Sequence, residues 1–140
     1  PLMKPIDISA IVQKILSALP GVAVSGGATS QTLGNLPACI WEVVSAVPAT
    51  GSPRMGHAVD AAVNIHIYAL SRAESMRLCG EAVQLLEAAH TLGPIVEGSY
   101  VARCWVEAEP ILAGGHTLHS AHVTETRATV RIVARGSTSI

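Results

Sequence analysis

The sequence predicts a single α+β domain of two layers, in which two helices pack on one face of a mainly antiparallel sheet of four to five strands. Two observations predict it. The apolar residues change along the chain between a period of two and a helical period, and the strand-like stretches come in pairs without an intervening helix. The 140 residues suffice for one domain spanning 1–140 that buries about two-thirds of its unfolded surface.

The centre of the pattern is a strand that leads directly into a long helix, residues 57–90. Alternation places Val59, Ala61, Val63, Ile65 and Ile67 on one face and Asp60, Asn64, His66 and Tyr68 on the other. Ser71 then starts a capping box in which its hydroxyl accepts the Glu74 backbone N–H. An apolar stripe follows and predicts a helix that ends at Gly93-Pro94: Met76, Leu78, Cys79, Ala82, Val83, Leu85, Leu86 and Ala89, with Arg77, Glu81, Gln84 and Glu87 facing water.

The N-terminal part begins with a short arm, residues 1–5, and a helix. Asp7 is a plausible N-cap, and the helix carries an apolar stripe of Ile8, Ile11, Val12, Ile15, Leu16 and Leu19. Pro20-Gly21 ends it, and residues 22–24 form a candidate short strand. A longer strand is predicted over 38–46. Residues 47–57 contain two prolines and two glycines, so we expect an exposed loop there.

Two further strands are predicted in the C-terminal part, at 99–107 and 123–135. In the last strand the even positions 124–134 should face the core, whereas Glu125, Arg127, Thr129, Arg131 and Arg135 should face outward. Residues 110–122 contain Gly114-Gly115 and are expected to form a second loop. The tail, 136–140, is expected to fray.

Composition restricts the function classes. Apolar residues make up 49% of the chain and charged residues 14%, against about 25% charged in a typical soluble domain, so part of the surface is expected to be an interface. The net charge of −1 argues against a surface that grips nucleic acid, which needs clustered Lys and Arg. No apolar run reaches the ~18 residues of a membrane span, and charged residues interrupt the N-terminal stretch where a secretory signal would lie. We therefore expect a cytosolic protein.

Candidate chemistry is sparse, so we expect neither an enzyme nor a cofactor. His116, His119 and His122 stand three apart, but an extended segment turns them to alternating sides and no Cys or acidic residue lies among them, so solvated loop histidines are favoured over a metal site. His66 is interpreted as an interface or surface residue rather than a base. Nucleophile and phosphate-binding motifs are absent. The separated residues Cys39, Cys79 and Cys104 favour buried reduced thiols.

The order of elements resembles the tail terminator (tail completion, minor tail) proteins of long-tailed, non-contractile bacteriophages. The resemblance covers residues 6–135. It depends on the N-terminal helix, the strand pair with a Pro/Gly loop, and the junction where Tyr68 leads into Ala-Leu-Ser-Arg-Ala-Glu and a long Ala/Leu helix. The final alternating strand, Thr126-Arg-Ala-Thr-Val-Arg-Ile-Val-Ala-Arg135, completes it.

The resemblance implies a structural virion protein that acts by binding. It would form a hexameric ring at the head-proximal end of the tail, stop polymerisation of the tail tube protein and dock the head through a head-completion or connector protein. The tape measure protein is a further candidate partner, and DNA would pass through the ring without sequence recognition. Assembly would take place in the host cytoplasm.

Residues for these contacts are chosen by position, because no family motif assigns them. They lie in the two expected loops and on the outward side of the last strand: Arg54, Met55, His57, His116, His119, Arg127 and Arg131. Three alternatives stay open. The chain could be a head-side neck protein (a head-closure or connector-adaptor protein), a plain dimeric interaction module, or a small-molecule-binding α+β domain, which would need converging polar groups in a pocket.

Overall fold

The computed structural model describes residues 6–26, 35–49, 58–118 and 121–136, with the backbone alone at 116–118 and 121. The elements follow in the order helix α1 (Ile8–Leu16), strands β1 (Ala23–Ser25), β2 (Ala38–Pro48) and β3 (Ala58–Ala69), helix α2 (Arg72–Glu87), a 3-10 turn (Ala89–Thr91), and strands β4 (Tyr100–Leu118) and β5 (Ala121–Arg135). The predicted α+β class is confirmed, and the candidate early strand is present as β1.

The five strands form one mixed sheet in the order β1-β2-β3-β5-β4. β1 pairs in parallel with the first three residues of β2, and every other pairing is antiparallel. β3 lies at the centre and pairs along its whole length with β5, from Ala58 opposite Arg135 to Ala69 opposite Thr124.

Both helices pack on the same face of this sheet, as predicted. The predicted stripe of α1 is buried throughout, and it joins one core cluster with Leu78, Val83 and Leu86 of α2. The inward residues of β3 and β5 complete this core: Val59, Ala61, Val63, Ile65 and Ile67 with Ala128, Val130, Ile132 and Ala134. The alternation of both strands therefore gave the correct core face.

Both helices begin where their capping residues predict. Asp7 Oδ1 accepts the Ala10 N–H at 3.0 Å, and Ser71 Oγ accepts the Glu74 N–H at 3.1 Å. The predicted inward position of Met76 is wrong, because its side chain is exposed, while Ser75 is fully buried. The Ser75 hydroxyl donates to the Arg72 carbonyl at 3.1 Å, which leaves the Thr126 hydroxyl to donate to Ser75 Oγ at 2.8 Å. A polar contact thus fixes the start of α2 on β5.

Polar contacts also accompany the packing of α1. Trp41 of β2 is buried, and its indole N–H donates to Gln13 Oε1 of α1 at 2.7 Å. The Gln13 side-chain amide donates in turn to the Val24 carbonyl of β1 at 3.2 Å. Trp41 is therefore a core residue, whereas Trp105 of β4 is partly exposed.

The predicted second loop, residues 110–122, is wrong in extent. β4 continues to Leu118 and β5 begins at Ala121, so most of the segment belongs to the two strands of a long hairpin. Irregular pairing accommodates the residues that suggested a loop. The register of β4 shifts in four places; one shift lies between Ala108 and Ile111, and another lies between Leu112 and Gly114. Gly114 has a φ of +129°, a conformation that residues with a Cβ rarely adopt.

The first predicted loop begins later than expected, because β2 extends to Pro48. Val47 and Pro48 are the last residues of β2 and pair with Asp60 and Val59 of β3. A further register shift lies between Val43 and Ser45. Residues 50–57, including Arg54, Met55 and His57, lie outside the described residues.

Candidate functional site

No described helix packs on the face of the sheet opposite α1 and α2, and we call this the open face. It consists of the second set of alternating side chains on the four long strands: Glu42, Asp60, Asn64, His66, Tyr68, Arg103, Trp105, Glu125, Arg127, Thr129 and Arg131. Two of the predicted contact residues, Arg127 and Arg131, lie here. Its polar side chains form two connected groups.

The first group is centred on Glu125, whose side chain is only 1% exposed. The His66 Nδ1 lies 2.8 Å from Glu125 Oε2, and the Arg127 Nε–H donates to the same oxygen. Glu125 was predicted to face outward from the core side of β5. It does lie on the outward face, but the side chains of its neighbours on β3 and β5 cover it. A buried carboxylate of this kind needs charged or hydrogen-bonding partners, and His66 and Arg127 supply them.

The hydrogen bonds and charges of this group shift the pKa values of its members. The hydrogen bond to Glu125, and then its negative charge, raise the pKa of Arg127 above its ordinary value. Burial, followed by the charge of Glu125, raises the pKa of Tyr68, which lies opposite Glu125 on β3. The hydrogen bond from Asn64, and then that from His66, lower the pKa of Glu42. Glu42 and Arg127 are therefore held in their charged forms.

Hydrogen bonds continue across three strands. Thr129 Oγ1 donates to Asn64 Oδ1 at 2.7 Å, and Asn64 Nδ2 donates to Glu42 Oε1 at 3.3 Å. The same Glu42 oxygen lies 3.4 Å from His66 Nε2. A single connected set of side chains thus links β5, β3 and β2 through Asn64 and His66.

The second group is centred on Arg131 and reaches β4. Its Nε–H donates to Asp60 Oδ1 of β3 at 3.0 Å, and one of its terminal nitrogens donates to Glu107 Oε1 of β4 at 3.4 Å. These partners raise the pKa of Arg131, the hydrogen bond to Asp60 most of all. The two groups together extend over the four long strands, and most of their charges have partners within the same chain.

This arrangement does not have the geometry of a catalytic base. Both ring nitrogens of His66 face carboxylate oxygens, Glu125 Oε2 and Glu42 Oε1, so neither is directed at a hydroxyl or thiol that it could activate. Within the described part of the chain, no group of three His, Cys, Asp or Glu residues could hold a metal ion. The arrangement is suited to holding strands together and to presenting a polar surface.

Large apolar side chains are exposed beside these polar groups. Val44 and Val47 of β2 are 59% and 50% exposed, and Trp105 and Ile111 of β4 are 36% and 63% exposed. The Arg103 guanidinium lies 5.0 Å from the centre of the Trp105 ring, a cation–π contact. Exposed apolar side chains of this size are candidate contacts for another chain.

Arg54, Met55 and His57 lie outside the described residues. His116 lies on β4 with its backbone opposite Val123, and its side chain lies outside the described set, as does the whole of His119. The sequence prediction missed the pairing of His66 with Glu125. Alternation had put both on the correct faces, but only the register of β3 against β5 brings them together.

A groove also lies between the two helices, away from the open face. It is lined by three residues after α1, three on α2 and one just past the end of α2: Ala18, Leu19, Pro20, Glu81, Gln84, Leu85 and Ala88. Its lining is mainly apolar. Among its described lining residues, Glu81 and Gln84 carry polar side chains, whereas a small-molecule site usually fixes its ligand by several converging polar groups.

No protein-family model and no curated protein matches the sequence. Among the described residues, no helix is long and apolar enough to cross a membrane.

Proposed function

We propose that this chain is a structural virion protein, a tail terminator of a long-tailed, non-contractile bacteriophage. In this proposal it forms a ring, hexameric as in the family that it resembles, at the head-proximal end of the tail tube. The ring stops polymerisation of the tube protein and docks the head. The protein acts by binding and is not an enzyme.

The observation that carries the proposal is the open face. A chain that buries one face of its sheet under two helices and leaves the other without a described helix has a broad surface for other chains. Val44, Val47, Trp105 and Ile111 are exposed on its outer strands. Covering such residues in an assembly gains free energy, about 25 cal/mol for each Å² of apolar surface.

The charges of the open face fit an assembly role as well. Burying an unpaired charge in an interface is costly, but Glu125 has His66 and Arg127, and Arg131 has Asp60 and Glu107. A partner can therefore cover these groups without leaving them unpaired. The same pairing reduces the free positive charge available to DNA, consistent with DNA passing through a ring without being held.

The partners follow from the proposed position. One side of the ring contacts the tail tube protein and the other contacts a head-completion or connector protein, with the tape measure protein as a further partner. The protein is located in the virion, at the head end of the tail. The low charge content of the chain, 14%, is in line with a protomer that buries much of its surface.

The test is tube assembly in vitro with the tail tube protein of the same phage. Adding this protein should give shorter tubes, closed at one end by a ring that is visible in electron micrographs. Tubes of unchanged length, with the protein bound to a portal or connector ring, would instead identify a head-side neck protein. No binding to either, together with a small molecule that raises the melting temperature, would identify a ligand-binding domain.

A loop variant tests whether residues 47–57 contact the tube. Replacing Arg54 and Met55 with serine should weaken capping while the melting temperature stays unchanged. The chain offers a matched control in Met76 and Arg77, the same two residue types on the exposed side of α2. Serine at both control positions should leave capping intact. Equal capping by the two double variants would move the tube contact away from this loop.

A further inference from the structure

One end of strand β2 has an outer side that no described strand occupies. β1 pairs with β2 only from Ala38 to Ile40, so the remainder of β2, residues 41–48, has a described partner strand on its inner side alone. Residues 44–48 are all exposed. The backbone N–H and C=O groups of such an edge can pair with a further strand.

The opposite edge of the sheet is β4, and the described structure pairs it only with β5. Seven large apolar side chains are exposed in the described part of the chain, and four of them lie on these two outer strands: Val44, Val47, Trp105 and Ile111. The other three, Leu70, Met76 and Leu92, lie outside the sheet or just past the end of β3. Exposed apolar surface is thus concentrated where the sheet could be extended.

The two edges also have compatible directions. β2 and β5 both run antiparallel to β3, and β4 runs antiparallel to β5, so β2 and β4 run in opposite directions. Two copies placed side by side in the same orientation would therefore bring β4 of one against β2 of the other as an antiparallel pair. That is the arrangement with straight inter-strand hydrogen bonds.

The proposed ring favours joining unlike edges over like ones. Pairing two β2 edges, or two β4 edges, is a two-fold contact that closes at a dimer, whereas pairing β2 with β4 can repeat from copy to copy.

We infer that the β2 edge of one copy pairs with the β4 edge of a second copy, head to tail. This inference deepens the proposed function and rests on its ring. Joining unlike edges is a heterologous contact, which repeats from copy to copy and closes into a ring when the rotation allows. The sheets of the subunits then form one continuous sheet. The register shifts of β4 leave Arg103–Val106 as a regular stretch, so the paired segment is short.

Cross-linking tests the joint directly. Cysteine replaces Ser45 on β2 and Ala108 on β4, two exposed small residues, in a Cys104→Ala background. Cys39 and Cys79 are buried and stay unreactive. A flexible bismaleimide, which tolerates a shift of a few residues along the joint, is added to the assembled protein. The double variant should give a ladder of covalent oligomers that ends at the closed ring, and a mixture of the two single variants should give dimers only.

Each other outcome has a defined meaning. Dimers from either single variant alone would show that like edges meet and would overturn the inference. Rings in electron micrographs without a covalent ladder would overturn it too, while the proposed ring function would stand. A ladder from a protein that does not shorten tail tubes would keep the joint and reject the terminator function. A protein that stays monomeric at every concentration would overturn the joint.

Discussion

Leu86 is the residue at which the packing of α2 on the sheet can be measured most directly. Its side chain is fully buried, as is Ile65 of β3, in the same core cluster. Leu86→Ala should lower the free energy of unfolding by roughly 2–5 kcal/mol, because the packed surroundings close the cavity only in part. Met76→Ala, on the exposed side of the same helix, should change it by less than about 0.5 kcal/mol. Urea unfolding measures both, and similar costs would contradict the packing.

The thiols provide a test by pH. Burial raises the pKa of Cys39, Cys79 and Cys104 from the ordinary 9.0 to about 12. The folded state therefore holds these protons more tightly than the unfolded state. Their contribution to stability is complete below pH 9 and is lost as the pH rises from 9 to about 12. Burial also raises the pKa of Tyr68, which acts in the same direction.

We expect the urea midpoint to fall steadily across that alkaline range, and the thiols to react slowly with a disulfide reagent at neutral pH. In denaturant all three should react at once, because the thiolate is the reactive form. Equal reaction rates of Cys39 and Cys79 in the folded and unfolded protein would contradict the burial of these two thiols.

Glu125 tests whether the open face contributes to stability. Glu125→Gln keeps the shape of the side chain but removes the buried anion that His66 and Arg127 contact, so we expect a loss of about 1–3 kcal/mol in the free energy of unfolding. The matched change Glu42→Gln removes an exposed carboxylate from the same set and should cost less than about 1 kcal/mol. A smaller loss for Glu125 than for Glu42 would contradict the arrangement.

The pairing of His66 with Glu125 also marks a limit of prediction from sequence. Period-two alternation is a local property, so it placed His66 and Glu125 on the outward side of their strands. The partner of a residue on the next strand depends on register, and no local pattern reveals the register of two residues that are 59 positions apart in the sequence. Alternation likewise cannot predict that Glu125, although it lies on the outward face, is covered by neighbouring side chains.

At the scale of elements, the long periodic segments were predictable, whereas the extension of β4 and β5 into residues 110–122 was not. α1, α2 and β3 follow strong local patterns with identifiable caps, and the predicted faces are confirmed apart from Met76. Pro110 and Gly114-Gly115 indicated a loop because these residues usually interrupt strands. Cross-strand pairing with β5 outweighs them, and the register shifts accommodate the irregular residues.

Two glycine-to-alanine variants test this account of the elements. Gly114→Ala should destabilise the hairpin by about 1 kcal/mol, because its φ of +129° strains any residue with a Cβ. Gly80→Ala, inside α2 with no atom within 4 Å of the added methyl, should stabilise the protein by about 0.5–1 kcal/mol. Thermal unfolding of both variants measures the difference, and a stabilising Gly114→Ala would show that the strand has ordinary geometry there.

At the scale of the whole molecule, substitutions at two equally exposed residues distinguish an effect on assembly from an effect on stability. Val44 on the open edge of β2 and Leu92 after the 3-10 turn are each 59% exposed. Lysine at either position should leave the melting temperature of the monomer nearly unchanged, because neither side chain belongs to the core. Only Val44→Lys places a charge at an edge that another strand would cover, and edge lysines oppose strand pairing.

Sedimentation over a range of concentrations should therefore show that Val44→Lys shifts assembly to higher concentration, whereas Leu92→Lys assembles like the unmodified chain. In tube assembly, Val44→Lys should cap fewer tubes, since a terminator has to close its ring to present a complete surface to the tube. Equal assembly by both variants would place the contacts between copies away from β2. Weaker assembly by Leu92→Lys alone would place them on the helical side of the molecule, and the open face would then remain free for the tube or the head.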